Sequence, residues 1–181
     1  MNIFMTFLLI IIALGLLAIW FIAIYNKFQT YIIRINEAEV NIDSTLRKRF
    51  DLLNKSINII KANTKVENDV LDIIVKLRSR KLTNFELDRQ LYEGINEFSH
   101  YKEKYKDLKK NENFVKIDLG LMESESEIVA FRKYYNDIIT DYNKLMRTFP
   151  SNLVGKSAGY KIKTYFDGKN MNDDKNNDFK L

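Results

Sequence analysis

The chain has 181 residues, of which 29% are charged, with a formal net charge of +5 and no cysteine. The lack of cysteine excludes disulfides, thiolate nucleophiles and cysteine-based metal sites. Only 6 glycines and 1 proline are present, too few for the turns of a many-stranded protein, so the composition favours helices. Acidic and basic residues are interspersed, unlike the one-sided charge of a dedicated nucleic-acid-binding protein.

Residues 3–25 form an uncharged, almost entirely apolar run. About 20 helical residues cross a hydrocarbon core of roughly 30 Å, whereas the apolar region of a secretory signal has only about 7–15 residues. No Lys or Arg precedes the run, and Trp20, Phe21 and Tyr25 near its end offer no small-residue cleavage site. The sequence therefore predicts an uncleaved transmembrane anchor over residues 1–26, with a processed segment as the alternative.

The charges beside the apolar run predict its orientation, because positive residues that flank a span tend to stay in the cytoplasm. Met1 and Asn2 carry no charged side chain, whereas Lys27, Arg34 and the run of residues 47–49 follow the span. We therefore predict that the N-terminus lies outside and that the soluble body lies in the cytoplasm.

Helical periodicity continues beyond the anchor. Apolar residues recur on one helical face up to Ile60, which predicts that the anchor continues as one helix to about residue 62. The same spacing predicts a shorter helix over residues 66–81, and Thr83 with Glu86 has the pattern of a capping box that begins a third helix. The apolar seam predicted for this third helix is Leu87, Leu91, Ile95, Phe98 and Tyr105.

The last predicted helix has the most regular pattern, a heptad seam from Leu121 to Phe149 that Pro150 ends. The predicted fold class is all-α: an N-terminal transmembrane helix that continues into a long-helix antiparallel bundle of about four helices. Residues 27–167 are predicted to form the helical domain. The Asn- and Asp-rich residues 168–181 are predicted to be a disordered polar tail.

Charged residues interrupt the seams of the two long helices, Glu39 and Arg49 on the first and Glu125 and Arg132 on the last. Buried charges need partners. If the helices are antiparallel, Arg49 can face Glu125 while Arg132 faces Glu39, whereas parallel packing could not make both pairs. The sequence predicts two interhelical ion pairs that fix the register, with an exposed flank or a functional polar pocket as the alternatives.

Residues 153–166 combine aromatic and basic side chains, and the helix lengths return this segment to the membrane. Tyr and Lys beside apolar residues suit an interfacial position. We predict a second, peripheral membrane contact here, with packing on the bundle as the alternative. The residues predicted to make the contact are Lys156, Tyr160, Lys161, Lys163, Tyr165 and Phe166.

The sequence contains no recognisable catalytic or ligand-binding motif. Glu97 and His100 form one Glu-x-x-His motif, but no second one accompanies it, so no metal site is predicted. No Gly-rich phosphate loop or Ser-His-Asp set is present. The basic and aromatic residues 100–106 are interrupted by Glu103, which favours a solvated helix face over a nucleic-acid-binding surface. We predict no catalytic residue, cofactor or small-molecule substrate.

Three stretches match a known family in order and spacing: LRKRFDLL at 46–53, LKKNENF at 108–114, and YYND at 134–137 followed by FPSNLV at 149–154. They resemble the LemA family of bacterial membrane proteins over roughly residues 25–167. The chain departs from the family at Asn54, Ala62 and Ser126-Glu127, where Pro, Gly and Asn-Arg are usual. The resemblance implies a single-pass anchor in the bacterial cell membrane, a mostly helical bundle, and no established enzymatic activity.

The anchor, the long apolar seams and the lack of a recognisable catalytic motif together predict a membrane-anchored helical scaffold or adaptor without intrinsic catalysis. Its expected partners are membrane lipid and either an unknown protein or a second copy of the chain. The alternatives are a regulatory or sensing subunit of a membrane complex, and a lipid-binding or nucleic-acid-binding module.

Overall fold

A computed structural model describes residues 3–64 and 82–166 of the chain. Four α-helices lie in these residues: α1 (Ile3–Thr64), α2 (Asn84–Lys104), α3 (Glu112–Arg147) and α4 (Ser151–Ser157), with a 3-10 helix, Lys106–Lys110, before α3. The predicted all-α class is confirmed. The helix predicted over 66–81 and the tail predicted over 168–181 lie outside the described residues.

Helix α1 is continuous over 62 residues, as its uninterrupted periodicity predicts. Within the described part of the chain it is the one helix long and apolar enough to cross a membrane. Its apolar run, through Tyr25, is almost wholly exposed, whereas from Phe28 onward one face is buried. The same helix therefore supplies both a candidate membrane span and one wall of a packed core.

The chain divides into two compact units, and each contains part of α1 and part of α3. The first unit comprises Met1–Glu37 and Asn136–Thr164, and the second comprises Ala38–Tyr135 and Tyr165–Leu181.

Heptad-spaced residues of three helices form the core of the second unit. The rings of Phe98 on α2 and Phe114 on α3 stack with centroids 4.8 Å apart.

Helix α2 begins with the predicted capping box, in which the Thr83 hydroxyl accepts a hydrogen bond from the Glu86 N–H and the Thr83 N–H donates one to the Glu86 carboxylate. Hydrogen bonds from Thr83 hold the pKa of Glu86 below its ordinary value.

The seam predicted for α2 is partly wrong, because the buried face is rotated from the predicted one. Leu91 and Phe98 are buried as expected, but Leu87, Ile95 and Tyr105 are only half buried. The buried residues of α2 are Phe85, Asp88, Leu91, Gly94, Phe98 and Tyr101. This face brings a carboxylate into the core of the second unit.

Aromatic rings of α1 and α3 meet in the core of the first unit. The buried Phe28 ring meets Tyr142 edge to face, with centroids 5.8 Å apart, and lies 5.1 Å from the Tyr160 ring. At Gly155 a Cβ atom would lie 2.9 Å from Phe28 Cζ and 2.6 Å from Met146 Sδ. Only glycine therefore allows α4 to approach α1 and α3 this closely.

The predicted seam of α3 fails at its end. The seam runs to Met146, but Phe149 is 75% exposed. The helix ends at Arg147, so Phe149 no longer follows the heptad register.

Candidate functional site

Four charged side chains from three helices meet in the second unit, and we call them the ion cluster: Arg49, Asp88, Glu125 and Arg132. Arg49 on α1 is buried, and its Nη2 lies 2.5 Å from Glu125 Oε2 while its Nη1 lies 3.8 Å from Asp88 Oδ1. Asp88 on α2 also accepts a hydrogen bond from Arg132 Nη2. Two cations and two anions therefore compensate one another across the three helices.

The structure brings Arg49 and Glu125 together, as the antiparallel register required. The second expected pair is wrong: Arg132 contacts Asp88 instead of Glu39. The reason is the rotated face of α2, which places the buried Asp88 between the two guanidinium groups. Sequence reasoning missed Asp88, although its spacing of three residues from both Phe85 and Leu91 places it on one face with them.

Glu39, the partner expected for Arg132, lies beside Tyr135 instead. Burial is the main cause that raises the pKa of Tyr135 to about 12, and the charge of Glu39 and its hydrogen bond with the phenol raise it further. The phenol is therefore a proton donor to the carboxylate and stays neutral over the physiological range.

The raised pKa predicts a loss of stability in strong base. The unfolded chain releases this proton near pH 10, whereas the folded chain keeps it until about pH 12. Between these values the unfolded state binds fewer protons, so the contribution is present below pH 10 and is lost as the pH rises. The melting temperature of Tyr135→Phe should fall less steeply over this interval than that of the wild type. Tyr134→Phe, at an exposed neighbouring position, should keep the wild-type slope, and equal slopes for all three would contradict the prediction.

Residues 151–163, which we call the return segment, pack against α1 directly after the apolar run. The Tyr160 ring stacks on Tyr25 with centroids 6.3 Å apart, and Gln29 Nε2 donates to the Tyr160 hydroxyl at 2.5 Å. Tyr160 is consequently half buried. The segment therefore meets α1 within one helical turn of the end of the apolar run.

Helix α3 binds the extended end of the return segment through side-chain hydrogen bonds. The Tyr142 hydroxyl donates to the Lys161 carbonyl at 2.9 Å. Asn143 Nδ2 donates to the Lys163 carbonyl at 2.7 Å, while its Oδ1 accepts from the Lys163 N–H at 2.9 Å. The amide thus pairs with the backbone as a neighbouring strand would. Lys161 and Ile162 are left with exposed side chains.

The residues predicted for the membrane contact differ in their exposure to solvent. Lys156 and Lys161 are exposed, and Lys163 and Tyr165 are half buried. Phe166 is buried in the second unit, where its ring centroid lies 5.6 Å from that of Phe85, so its predicted membrane contact is wrong. Its large apolar ring is covered by the rings of Phe85 and Tyr135 and by the Arg132 guanidinium.

The net positive charge of the chain arises in segments of the first unit. Residues 1–36 and 142–164 contain seven basic and no acidic side chains, and of the chain's 29 basic and 24 acidic residues this leaves 22 and 24 elsewhere. The acidic residues of the unit, Glu37, Asp137 and Asp141, lie outside these segments. The basic residues are Lys27, Arg34, Lys144, Arg147, Lys156, Lys161 and Lys163.

Four basic residues in the described part of the second unit pair with neighbouring carboxylates. Arg47 pairs with Asp43 at 2.7 Å, Lys48 with Glu127 at 3.1 Å, and Arg49 lies in the ion cluster. Lys102 pairs with Asp118 at 2.9 Å. These contacts favour the solvated helix face over a nucleic-acid-binding surface.

Helix α3 also exposes a row of apolar side chains, which we call the α3 stripe: Val115, Leu119, Met122 and Val129. These side chains are 38–61% exposed. Their spacings of four, three and seven residues place them on one helical face. They form a second apolar register beside the buried one. Sequence reasoning used only the buried register, whose continuous heptads gave the stronger signal.

The ion cluster is charge-compensated, and within residues 3–64 and 82–166 no group of three or more His, Cys, Asp or Glu side chains is placed to hold a metal. His100 is exposed on α2, where its ring meets that of Tyr101. The assembled polar site therefore fits a structural role.

The described residues define a class of protein: a long-helix bundle whose first helix begins as a candidate membrane span. The model of the LemA family matches residues 38–179, so the chain belongs to the LemA family. The match confirms the resemblance, and this family is not known as an enzyme family. The comparison with curated proteins gives no match.

Proposed function

We propose that this protein is a membrane-anchored helical scaffold or adaptor without intrinsic catalysis, which presents its second unit to a protein partner or to another copy of the chain. The continuity of α1 carries the proposal, because one helix holds both the exposed apolar run and core residues of the bundle. An anchor that is part of the folded body holds that body at the bilayer without a flexible linker.

The anchor is proposed to cross the bacterial cell membrane once, with the N-terminus outside and the body in the cytoplasm. The basic residues of the first unit support this orientation, since the return segment adds positive charge close to the same end of the apolar run as Lys27 and Arg34.

The α3 stripe is the proposed contact surface for the protein partner. A row of apolar side chains at heptad-like spacing is the pattern by which one helix docks on another. Ser126 extends the row and Lys133 ends it, so the exposed apolar residues are bounded by polar ones, as at a protein interface.

A photo-crosslinking amino acid at Met122, in the full-length protein in native membranes, tests this function. We expect a discrete protein adduct from position 122 and none from the matched control position Glu103, which is exposed on α2. The mass of the adduct distinguishes a second copy of the chain from another protein. Equal labelling at both positions, or none at either, would contradict the scaffold proposal.

A charge on the stripe provides a second measurement. With the probe at Leu119, Met122→Glu should reduce the adduct about tenfold, because an unpaired charge in an apolar contact costs at least about 1.4 kcal/mol. Glu123→Lys changes the charge of the neighbouring exposed position and should leave the adduct unchanged.

A further inference from the structure

The return segment lies where a membrane surface would be. Phe28, which Gly155 of α4 approaches, is three residues past Tyr25, or about 4.5 Å further along α1. The headgroup layer on each side of a bilayer is about 5–8 Å thick, so Phe28 falls within this layer if residues 3–25 span the hydrocarbon core. The proposed anchor therefore places α4 at the level of the lipid headgroups.

Three large apolar side chains of this part of the first unit are exposed: Phe149 by 75%, Leu153 by 56% and Ile162 by 53%. The backbone that carries them is held in place. The Ser151 hydroxyl bonds to the Leu145 and Thr148 carbonyls, and Asn143 fixes the backbone of Lys163. Their exposure is thus built into the packing of α4 and the extended residues after it.

The charged residues near these apolar residues in the sequence have one sign. Lys156 and Lys161 are exposed beside them in sequence, and residues 142–164 contain no acidic side chain. Apolar residues among lysines, with no acidic residue, match the headgroup boundary of an anionic bilayer, where each basic residue near the surface adds to the attraction.

We propose that the exposed face of residues 149–162 binds the surface of the anionic bilayer in which α1 is anchored. Phe149, Leu153 and Ile162 enter the boundary between headgroups and acyl chains, and Lys156 and Lys161 contact lipid phosphates. This inference rests on the membrane anchor of the proposed function and adds a second, peripheral contact to it. The membrane-contacting apolar residues are thus different from Tyr165 and Phe166, which the sequence predicted.

Single cysteines can test the contact in the full chain, because the natural sequence contains none. Leu153→Cys and Ile162→Cys, each carrying an environment-sensitive fluorophore, are reconstituted into phosphatidylcholine vesicles with and without phosphatidylglycerol, and quenched by lipids with a nitroxide near the headgroup. Tyr92→Cys, exposed on α2 in the second unit, is the matched control. We expect quenching at positions 153 and 162, stronger with phosphatidylglycerol, and little at position 92.

A label on Gly15→Cys separates this proposal from the anchor itself, since position 15 lies in the apolar run and a Cβ added there would meet no other side chain within 4 Å. If a deep acyl-chain quencher reaches position 15 but positions 153 and 162 match position 92, the peripheral contact is overturned and the anchor stands. If position 15 is not quenched, both fail. A response at position 153 that follows the protein-to-lipid ratio and ignores the quencher would place a second copy there and overturn the lipid contact.

Charge reversal tests the lipid chemistry. Lys156→Glu with Lys161→Glu should reduce the extra quenching in phosphatidylglycerol vesicles by roughly twofold or more. Lys106→Glu with Lys109→Glu makes the same charge change at exposed positions of the second unit and should leave the quenching unchanged. Equal quenching in neutral and anionic vesicles would overturn the role given to the two lysines.

Discussion

Replacing Asp88 with alanine should lower the free energy of unfolding by about 3–5 kcal/mol, since this is the usual cost of removing one partner from a buried ion pair. The Asp88 side chain is only 4% exposed and faces both Arg49 and Arg132. Its loss removes the carboxylate that faces both guanidinium groups and leaves Glu125 as the partner of Arg49. The free energy of unfolding can be measured by urea titration in detergent, with the circular dichroism of the helices as the signal. The melting temperature should fall by about 10 °C.

A surface ion pair between the same long helices provides the matched control. Lys48 and Glu127 join α1 to α3 at 3.1 Å, but both side chains are more than 40% exposed. Glu127→Ala should therefore cost no more than about 1 kcal/mol. Asp88→Asn keeps the size of the side chain but removes its charge, so it should still lower the free energy of unfolding by more than Glu127→Ala does. If Asp88→Ala and Glu127→Ala cost the same, the ion cluster does not hold the three helices together.

The ion cluster also changes the stability expected when the charges of Arg49 and Glu125 are exchanged. If Arg49 and Glu125 formed an isolated pair, exchanging their charges would restore much of the stability that either single reversal loses. A glutamate at position 49, however, would approach the Asp88 carboxylate, which lies 3.8 Å from the Arg49 guanidinium. We therefore expect little recovery in the double reversal unless the charge of Asp88 is also removed.

The antiparallel register could be predicted because two long, strictly periodic helices constrain it. Antiparallel packing and the need of a buried charge for a partner together predicted that Arg49 faces Glu125, although the same reasoning wrongly paired Arg132 with Glu39. Asp88 could not be found in this way. On the shorter α2, the apolar residues fit two faces about equally well, and the choice between these faces depends on packing against α1 and α3.

The return segment shows a different limit of sequence reasoning. Composition predicted that aromatic and basic residues lie near the membrane, and Tyr160 does meet α1 beside the apolar run. Composition does not show which aromatic rings are already covered. Phe166 is buried, whereas Phe149 and Leu153 are exposed, because the end of α3 and the turn into α4 interrupt helical periodicity.

Replacing Phe28 with alanine should lower the free energy of unfolding by about 3–5 kcal/mol. The return segment should lose its packing first. The Phe28 ring is fully buried and joins α1 to both Tyr142 and Tyr160. Its removal leaves a cavity beside Gly155, which is also approached by Met146. Because the hydrogen bonds of Asn143 and Tyr142 hold only the end of the segment, α4 should lose its packing before the core of the second unit does.

Limited trypsin digestion of the full chain in vesicles can measure this local loss, since Lys156 and Lys161 are exposed cleavage sites within the segment. Phe28→Ala should speed cleavage at both sites while cleavage in α2 stays at the wild-type rate. Phe28→Leu, which refills most of the cavity, should restore most of the protection, and Val40→Ala, at a position of α1 that is 67% exposed, should leave the packing of the segment intact. If Phe28→Ala speeds cleavage equally throughout the chain, Phe28 supports the whole fold, and α4 is not held to the end of the apolar run as a separately stabilised part.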